Sequence, residues 1–380
     1  MSELPQWVAL AELPGVEVVG YGINRPGRFD PEGIPMLRAG DIADGRIESS
    51  EVVRVKHEVA DAHPRTRLRS GDLLIVLVGR IGEAALTGPD HADWNVARTV
   101  ALIRCADPRL AQWLRIWLAM PTARAWCEAH AAGTVQRTLG LRSLRHLPVA
   151  LPSPADRDRA LRVISAIESR TRINDRIART AVALADAYFG VFATDGLHWP
   201  RMTFGDVVGG AWTGTAARPA VAAGDEGWVA PADVLRAPLP YVGIADSSGP
   251  PEVPGPILVV PKAGQVHAAV GRPSVKVSRG VLVLDPQQMR DAWWLLHEIR
   301  SRSAELSQLA QGTAGRELSA RAFSQARVAW PPEDVLVHFA GLANRLHGRA
   351  LAAQRENRVL HALQSRFLRT LEPAAAPIPA

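Results

Sequence analysis

The apolar positions of this chain change their spacing along its length, and they run through the same order of changes twice. Residues 34–42 (IPMLRAGDI) followed by Asp44-Gly45 predict a strand leading into a hairpin-like reversal. Residues 73–78 form a short apolar run, β-branched in part and stopped by Gly79 and Gly82, which predicts a buried strand. Residues 96–104 alternate well enough for a third strand. Residues 108–130 then space Leu110, Trp113, Leu114, Trp117, Leu118 and Trp126 at helical intervals. The series returns more loosely. Residues 228–234 (WVAPADV) stand where 37–42 stood, 255–260 repeat the run after Gly71-Asp72, and Gly264 takes the place of Gly82. Residues 275–284 answer 96–104, and Trp293, Trp294, Leu295, Leu296 and Ile299 restate the helix.

Each series closes on a proline-punctuated motif and a long helical pattern. The first motif is 132–139 (AGTVQRTL) with 147–152 (LPVALP), and the second is 311–318 (QGTAGREL) with 327–331 (RVAWP). Gly133 and Gly312 lie 179 residues apart, and so do Pro152 and Pro331. Equal offsets at two anchors mark an internal duplication, two copies of a globular part followed by a helix. Asp156 and Asp158 open the first helix and Glu333 and Asp334 the second, where a negative charge meets the positive end of the helix dipole. The first carries a stripe of Val163, Ile167, Ile173, Ile177, Ala181, Leu184 and Tyr188. The second carries Phe339, Leu342, Leu346, Ala350, Ala353, Leu360, Leu363, Phe367 and Leu371. Both stripes are narrow, with arginines on the other faces, so each helix requires a partner helix, and the economical partner is the other one. About 35 residues at ~1.5 Å each gives rods of about 50 Å.

Composition sharpens this only in places. At 380 residues, 47% hydrophobic and 22% charged, the chain can hold two or three cores and is not disordered. The net charge is +6, and lysine occurs only at Lys56, Lys262 and Lys276. An anionic partner such as nucleic acid fits that balance, as does a coding bias toward arginine. Cys105 and Cys127 form neither a Cys-x-x-Cys pair nor part of a His cluster, so no zinc site or disulfide framework is expected. Residues 1–10 lack a signal-peptide core and no apolar run approaches ~20 residues, so a cytoplasmic protein is expected. The tail 372–380 cannot build a core and is expected to fray.

Several chemistries are excluded by inspection. The residues before the three lysines are Val55, Pro261 and Val275, where a P-loop needs glycine. Two before them stand Arg54, Val260 and Ser274, where a restriction-type nuclease needs an acid. Asp30-Pro31, Asp107-Pro108 and Asp285-Pro286 are followed by Glu32, Arg109 and Gln287, so none is the Pro-Pro-aromatic loop with which an amino-methyltransferase grips a flipped base. Gly79-Arg80-Ile81-Gly82 lacks the third glycine of a dinucleotide-binding turn. It reads as a tight turn, or as a turn whose amides could approach a DNA phosphate.

Two diverged units, each ended by a proline motif and a long helix, in a chain without catalytic motifs, resemble a type I restriction-modification DNA specificity subunit. The resemblance covers nearly the whole chain and is carried by 34–42, 68–74 (LRSGDLL), 312–318, 328–331 and Glu356-Asn357-Arg358-Val359-Leu360. The second unit departs from it at Trp228, Pro231 and Pro254-Gly255-Pro256. The resemblance implies an α+β chain of two tandem mixed α/β target-recognition domains separated by two long helices that pair as an antiparallel coiled coil. Recognition domains at 1–151 and 196–330 would each read one half of a split target, with spacer helices at 152–195 and 331–371. It also implies a non-catalytic subunit without a cofactor of its own. Double-stranded DNA, two methyltransferase subunits that bind the S-adenosylmethionine, and in a full complex a restriction or translocase subunit would be its partners. Two other readings remain: an orphan recognition or scaffold protein of another phage-defence system, and part of a fused methyltransferase or nuclease.

Arginine suits guanine edges, Asn and Gln suit adenine, and other basic side chains hold phosphates. By position next to strand ends and turns, the candidates in the first unit are Arg38, Arg80, Asn95, Arg98, Gln136 and Arg137. In the second they are Lys262, Gln265, His267, Arg272, Lys276, Arg279 and Arg316. Trp113, Trp117, Trp293 and Trp294 are expected in cores. Arg170, Arg172, Arg176 and Arg179 line the first helix. The seam is expected at Val163, Ile167, Ile177, Leu184, Leu342, Leu346, Leu360, Leu363 and Phe367.

Overall fold

The computed structural model describes residues 6–43, 45–48, 51–133, 137–214, 228–242, 255–262, 264–272, 275–288, 290–310 and 318–371. The chain divides into two compact units, one of residues 1–167 with 362–380 and one of 168–361.

The first unit is built on a four-stranded antiparallel sheet in the order Val16–Tyr21, Val100–Cys105, Leu73–Val76, Ala84–Leu86. Alternation fills both of its faces. Leu73, Ile75, Ala101 and Ile103 enter one core with the helix Pro108–Ala119, while Leu74, Val76, Val100 and Leu102 enter a second core on the other side. A strand buried on both faces must be apolar throughout, which is why 73–78 carries no polar residue. The strand expected over 96–104 is two strands. Asn95–Val96 pairs in parallel with Met36-Leu37, and the chain turns at 97–99 before Val100–Cys105. The helix expected over 108–130 is likewise two, Pro108–Ala119 and Pro121–Ala129, because Pro121 cannot continue the first. Ile42 and Ile47 pair around Gly45 at φ +73, the expected reversal, of which Asp44 lies outside the described residues.

The second unit repeats the plan. Its sheet runs Val208–Thr213, Leu282–Pro286, Ile257–Lys262, Gln265–Val270, all antiparallel, with Trp228–Val229 parallel to Lys276–Val277 at the side. Ile257, Val259, Leu282 and Leu284 face one core and Leu258, Val260, Val281 and Val283 the other. Trp293 and Trp294 on the helix Asp291–Ser301 are buried in the first of these, as Trp113 and Trp117 are in the first unit. The indole N–H groups of Trp113 and Trp117 donate to the carbonyls of Ala150 and Pro148, each at 3.0 Å, so these rings are core.

Both long helices are 39 residues, Pro154–Phe192 and Glu333–Leu371, slightly longer than expected. Their buried stripe keeps Ile167, Ala181, Phe339, Ala350 and Ala353 of the expected one and corrects the rest. On the first it runs Ala160, Ile164, Ile167, Thr171, Asn174, Ala178, Ala181, Ala185, Phe189, at strict spacings of four and three. Ile173, Leu184 and Tyr188 are exposed and Val163 and Ile177 only partly covered. On the second, Leu336, Ala340, Ala343, His347, Ala350 and Asn357 are buried, Leu342, Leu346 and Leu360 are partly covered, and Leu363 is exposed. The physical reason is size: many of the buried positions are alanines, which carry little hydrophobic signal, and several of the larger side chains lie to the flanks. Within the first unit Ile164 packs in one cluster with Leu368, and Phe367 lies against it. Within the second, Arg170 Nε and Nη2 donate to Glu356 at 2.6 and 2.9 Å, Asn357 Nδ2 donates to Asp175 at 2.7 Å, and Phe189 meets Phe339 edge-on.

One expectation about apolar length is also corrected. Within Pro154–His198 a window is long and apolar enough by composition to cross a bilayer. Ala181, Val182, Ala185 and Phe189 of this helix are buried in the second unit, which accounts for their apolar character.

Candidate nucleic-acid interface

In the first unit, four expected residues gather around two turns. Arg38 opens the turn Ala39–Asp41, its backbone N–H donating to Asp41 Oδ2 at 2.7 Å and its guanidinium 3.6 Å from the same carboxylate. Arg80, exposed on its tight turn, reaches back to donate to the Ile42 carbonyl at 2.8 Å. Arg98 is exposed beside the same turn, since the neighbouring Thr99 hydroxyl accepts from Ala39 N–H at 3.4 Å. Arg137 adjoins the 79–82 turn through the bridge between Val78 and Thr138, and its guanidinium donates to the carbonyls of Glu128 and Ala131. The turn at 79–82 has Gly79 at φ +84 and Gly82 at φ +85, the amides of Ile81 and Glu83 donate to the carbonyls of Gly79 and Arg80, and that of Gly82 donates back to Val76 in the strand. Its glycines therefore serve the turn, and those amides do not face a phosphate.

Asn95 is a correction. It is fully buried, accepts from the Thr66 hydroxyl at 2.9 Å and donates to the Ala60 carbonyl at 3.4 Å, so it holds the core and reads no base. Gln136 and Arg316, together with 312–317 of the second motif, lie outside the described residues.

In the second unit Lys262 and Gln265 face one another at the end of a hairpin and are both exposed. His267 and Gln265 line a cleft of about 360 Å³ with Val182, Val234, Arg300 and Ser303. Lys276 is exposed in the parallel pair and Arg279 at the turn after it, and Arg272 is half-buried. Sequence reasoning passed over three exposed aromatics at strand ends, Tyr21, Phe29 and Trp212. A large ring on the solvent side of an alternating strand is the signal that would have found them.

Behind this surface lies a polar cluster that no motif announced. Asp186 Oδ1 is 2.7 Å from His297 Nδ1, His297 Nε2 is 2.9 Å from His347 Nε2, and His347 Nδ1 is 2.5 Å from the Tyr241 hydroxyl. Burial pushes the Asp186 carboxyl up, but hydrogen bonds from His297 and Arg300 outweigh it and hold it at about 2. Burial depresses both imidazoles, His297 being partly restored by Asp186 and His347 further lowered by His297. Burial also pushes the Cys105 and Cys127 thiols up to about 12, which makes both poor nucleophiles. Among the described residues no group of three or more His, Cys, Asp or Glu side chains could hold a metal ion.

A sheet with the same strand order is built twice in this chain, each copy edged by exposed arginines or lysines at its turns, which marks the architecture as an internal duplication. No family model matches the chain. It is 28% identical over 180 residues to the type I restriction enzyme EcoBI specificity subunit of Escherichia coli, a stretch covering 45% of this chain and 38% of that one. The match thus spans well under half of that relative. The type I restriction-modification S subunit from M. genitalium has the same fold, with a TM-score of 0.58, 12% identity, and 99% and 98% of the two chains covered. The HsdS subunit from Thermoanaerobacter tengcongensis aligns over 97% and 96% at 17% identity, with a TM-score of 0.36 that is too low to bear on the fold. Over 180 residues the chain is thus similar in sequence to one type I specificity subunit, and over nearly its whole length similar in fold to another.

Proposed function

We propose that the chain is the non-catalytic DNA-recognition subunit of a type I restriction-modification complex, acting in the cytoplasm. Each globular unit reads one half of a bipartite duplex target. The two 39-residue helices, about 58 Å each at ~1.5 Å per residue, pair as an antiparallel coiled coil, set the gap between the halves and dock methyltransferase subunits. A restriction or translocase subunit joins in a full complex, and the chain itself carries no cofactor.

The observation that carries this reading is the duplication itself. A split target needs two readers of one kind, and the chain contains two sheets of one strand order. Supporting the helix pairing are Arg170 against Glu356 and Phe189 against Phe339, contacts that run in opposite senses along the two helices within the second unit. Supporting the reading surface are the exposed Arg38, Arg80, Arg98 and Arg137 in one unit and Lys262, Gln265, Lys276 and Arg279 in the other.

Selection of the purified full chain on a library of random duplexes, followed by sequencing, tests the proposal. The expected product is a motif of two fixed half-sites around an unspecified gap of constant length. Enrichment of one contiguous motif, or of none, contradicts it.

A further inference from the structure

Residues 96–100 (VARTV) and 277–281 (VSRGV) occupy the same place in the two units. Ala97 N–H donates to the Leu37 carbonyl at 2.8 Å, and Ser278 N–H to the Val229 carbonyl at 2.9 Å. Val100 N–H closes a turn onto the Ala97 carbonyl at 3.0 Å, and Val281 N–H onto the Ser278 carbonyl at 3.4 Å. A glycine just past the end of a strand presses on each stretch so closely that a Cβ on Gly22 would stand 1.7 Å from the Val96 carbonyl oxygen. One on Gly214 would stand 2.3 Å from that of Ser278. In the middle of both turns, on backbone pinned from two sides, stands an exposed arginine, Arg98 or Arg279.

The surroundings of the two are not alike. Asn95 in the first unit is Lys276 in the second, and Met36, which pairs with Asn95, is Trp228, which pairs with Lys276. Two readers of different half-sequences must differ where they touch bases. Where they keep the same side chain on the same backbone, it meets what every duplex shares, the phosphate charge. Arg98 suits that role further because its described side-chain partner is Asn24 Oδ1 at 3.0 Å, an amide oxygen that orients the guanidinium without cancelling its charge.

Resting on the DNA-recognition reading above, we infer that Arg98 and Arg279 are equivalent phosphate clamps, one per unit, that hold the duplex in register and carry no sequence information. The test is fluorescence anisotropy of the full chain on labelled duplexes of scrambled sequence and on a selected target, across a KCl series. Arg98→Ala and Arg279→Ala are each expected to reduce the slope of log affinity against log salt by ~0.9 and to weaken all duplexes by the same factor, the double variant losing ~1.8. Arg98→Lys and Arg279→Lys are expected to keep the wild-type slope. Both side chains are exposed, so unchanged thermal unfolding is expected to accompany the loss. An unchanged slope, or a loss confined to the selected target, overturns the inference while leaving the recognition reading in place. Absence of duplex binding by the wild-type chain overturns both.

Discussion

The Nε2 atoms of His297 and His347 stand 2.9 Å apart in the interior of the second unit, with at most 1% of either residue exposed. Two imidazole nitrogens can meet this way only if one donates and the other accepts, and the neighbours decide which. The Asp186 carboxylate can only accept, so His297 Nδ1 carries a proton and its Nε2 is bare. His347 Nε2 therefore donates, and its Nδ1 accepts from the Tyr241 hydroxyl. The chain of protons is complete with both rings neutral, and it ties helix Pro154–Phe192, helix Asp291–Ser301 and helix Glu333–Leu371 at one point.

That arrangement makes the second unit acid-sensitive. Both folded-state imidazoles sit below their ordinary value near ~6.5, so the unfolded chain takes up protons that the folded chain refuses. Their contribution is full above ~6.5 and is lost as pH falls below it, by up to about 1.4 kcal/mol per pH unit for each ring. Asp186, held at about 2, adds loss only below pH ~4. Urea unfolding of the full chain between pH ~7.5 and ~5 checks this, with His347→Gln expected to flatten the dependence. A midpoint independent of pH over that range counts against the neutral relay.

The backbone approaches at Gly22 and Gly214 give a second expectation. Gly22→Ala and Gly214→Ala place a methyl against backbone carbonyls, which cannot swing aside, and each is expected to cost about 2–4 kcal/mol. Gly40 has open space and no left-handed φ, so Gly40→Ala is expected to stay within about 0.5 kcal/mol. Thermal unfolding ranks the three, and equal melting temperatures refute the packing described for the two turns.

The phase of the helix seam is tested by pairs of truncations. Ile164→Ala and Phe339→Ala remove buried side chains and are expected to cost about 2–5 kcal/mol each. Leu184→Ala and Leu363→Ala act on exposed positions and are expected within about 0.5 kcal/mol. The reverse ranking in chemical denaturation contradicts the burial of Ile164 and Phe339 and places Leu184 and Leu363 in the seam. Glu356→Ala, which breaks an exposed ion pair with Arg170, is expected to cost no more than about 1 kcal/mol and less at high salt.

In the first unit Arg104 grips Asp72 through two hydrogen bonds at 2.8 and 2.6 Å, with both side chains nearly buried. Asp72→Ala leaves the guanidinium buried without its counter-charge and is expected to cost about 3–5 kcal/mol, whereas Arg104→Met combined with Asp72→Leu costs less than either single change. A double-mutant cycle measures the coupling, and additivity of the two single changes excludes it.

Periodicity in the sequence was enough to reveal the two long helices, the strands around Leu73 and Ile257 and the duplication, because these follow from burial repeated at regular intervals. The seam was misphased because the reading favoured Leu184 and Leu363 over Ala178, Ala343 and Asn357. Alanine carries little hydrophobic signal, yet Ala178 and Ala343 are at most 1% exposed. Asn95 was misplaced for a related reason: an amide next to a turn looks available until the Thr66 hydroxyl is found opposite it. The relay was invisible in sequence, since Asp186, Tyr241, His297 and His347 come from four separate stretches and only the fold joins them.

The most direct measurement of the central claim is a methylation map of the source genome with and without the gene for this chain. Recognition by two units of one kind predicts a bipartite methylated motif, with two specified halves around a fixed gap, that vanishes on deletion. A methylation pattern untouched by the deletion contradicts it.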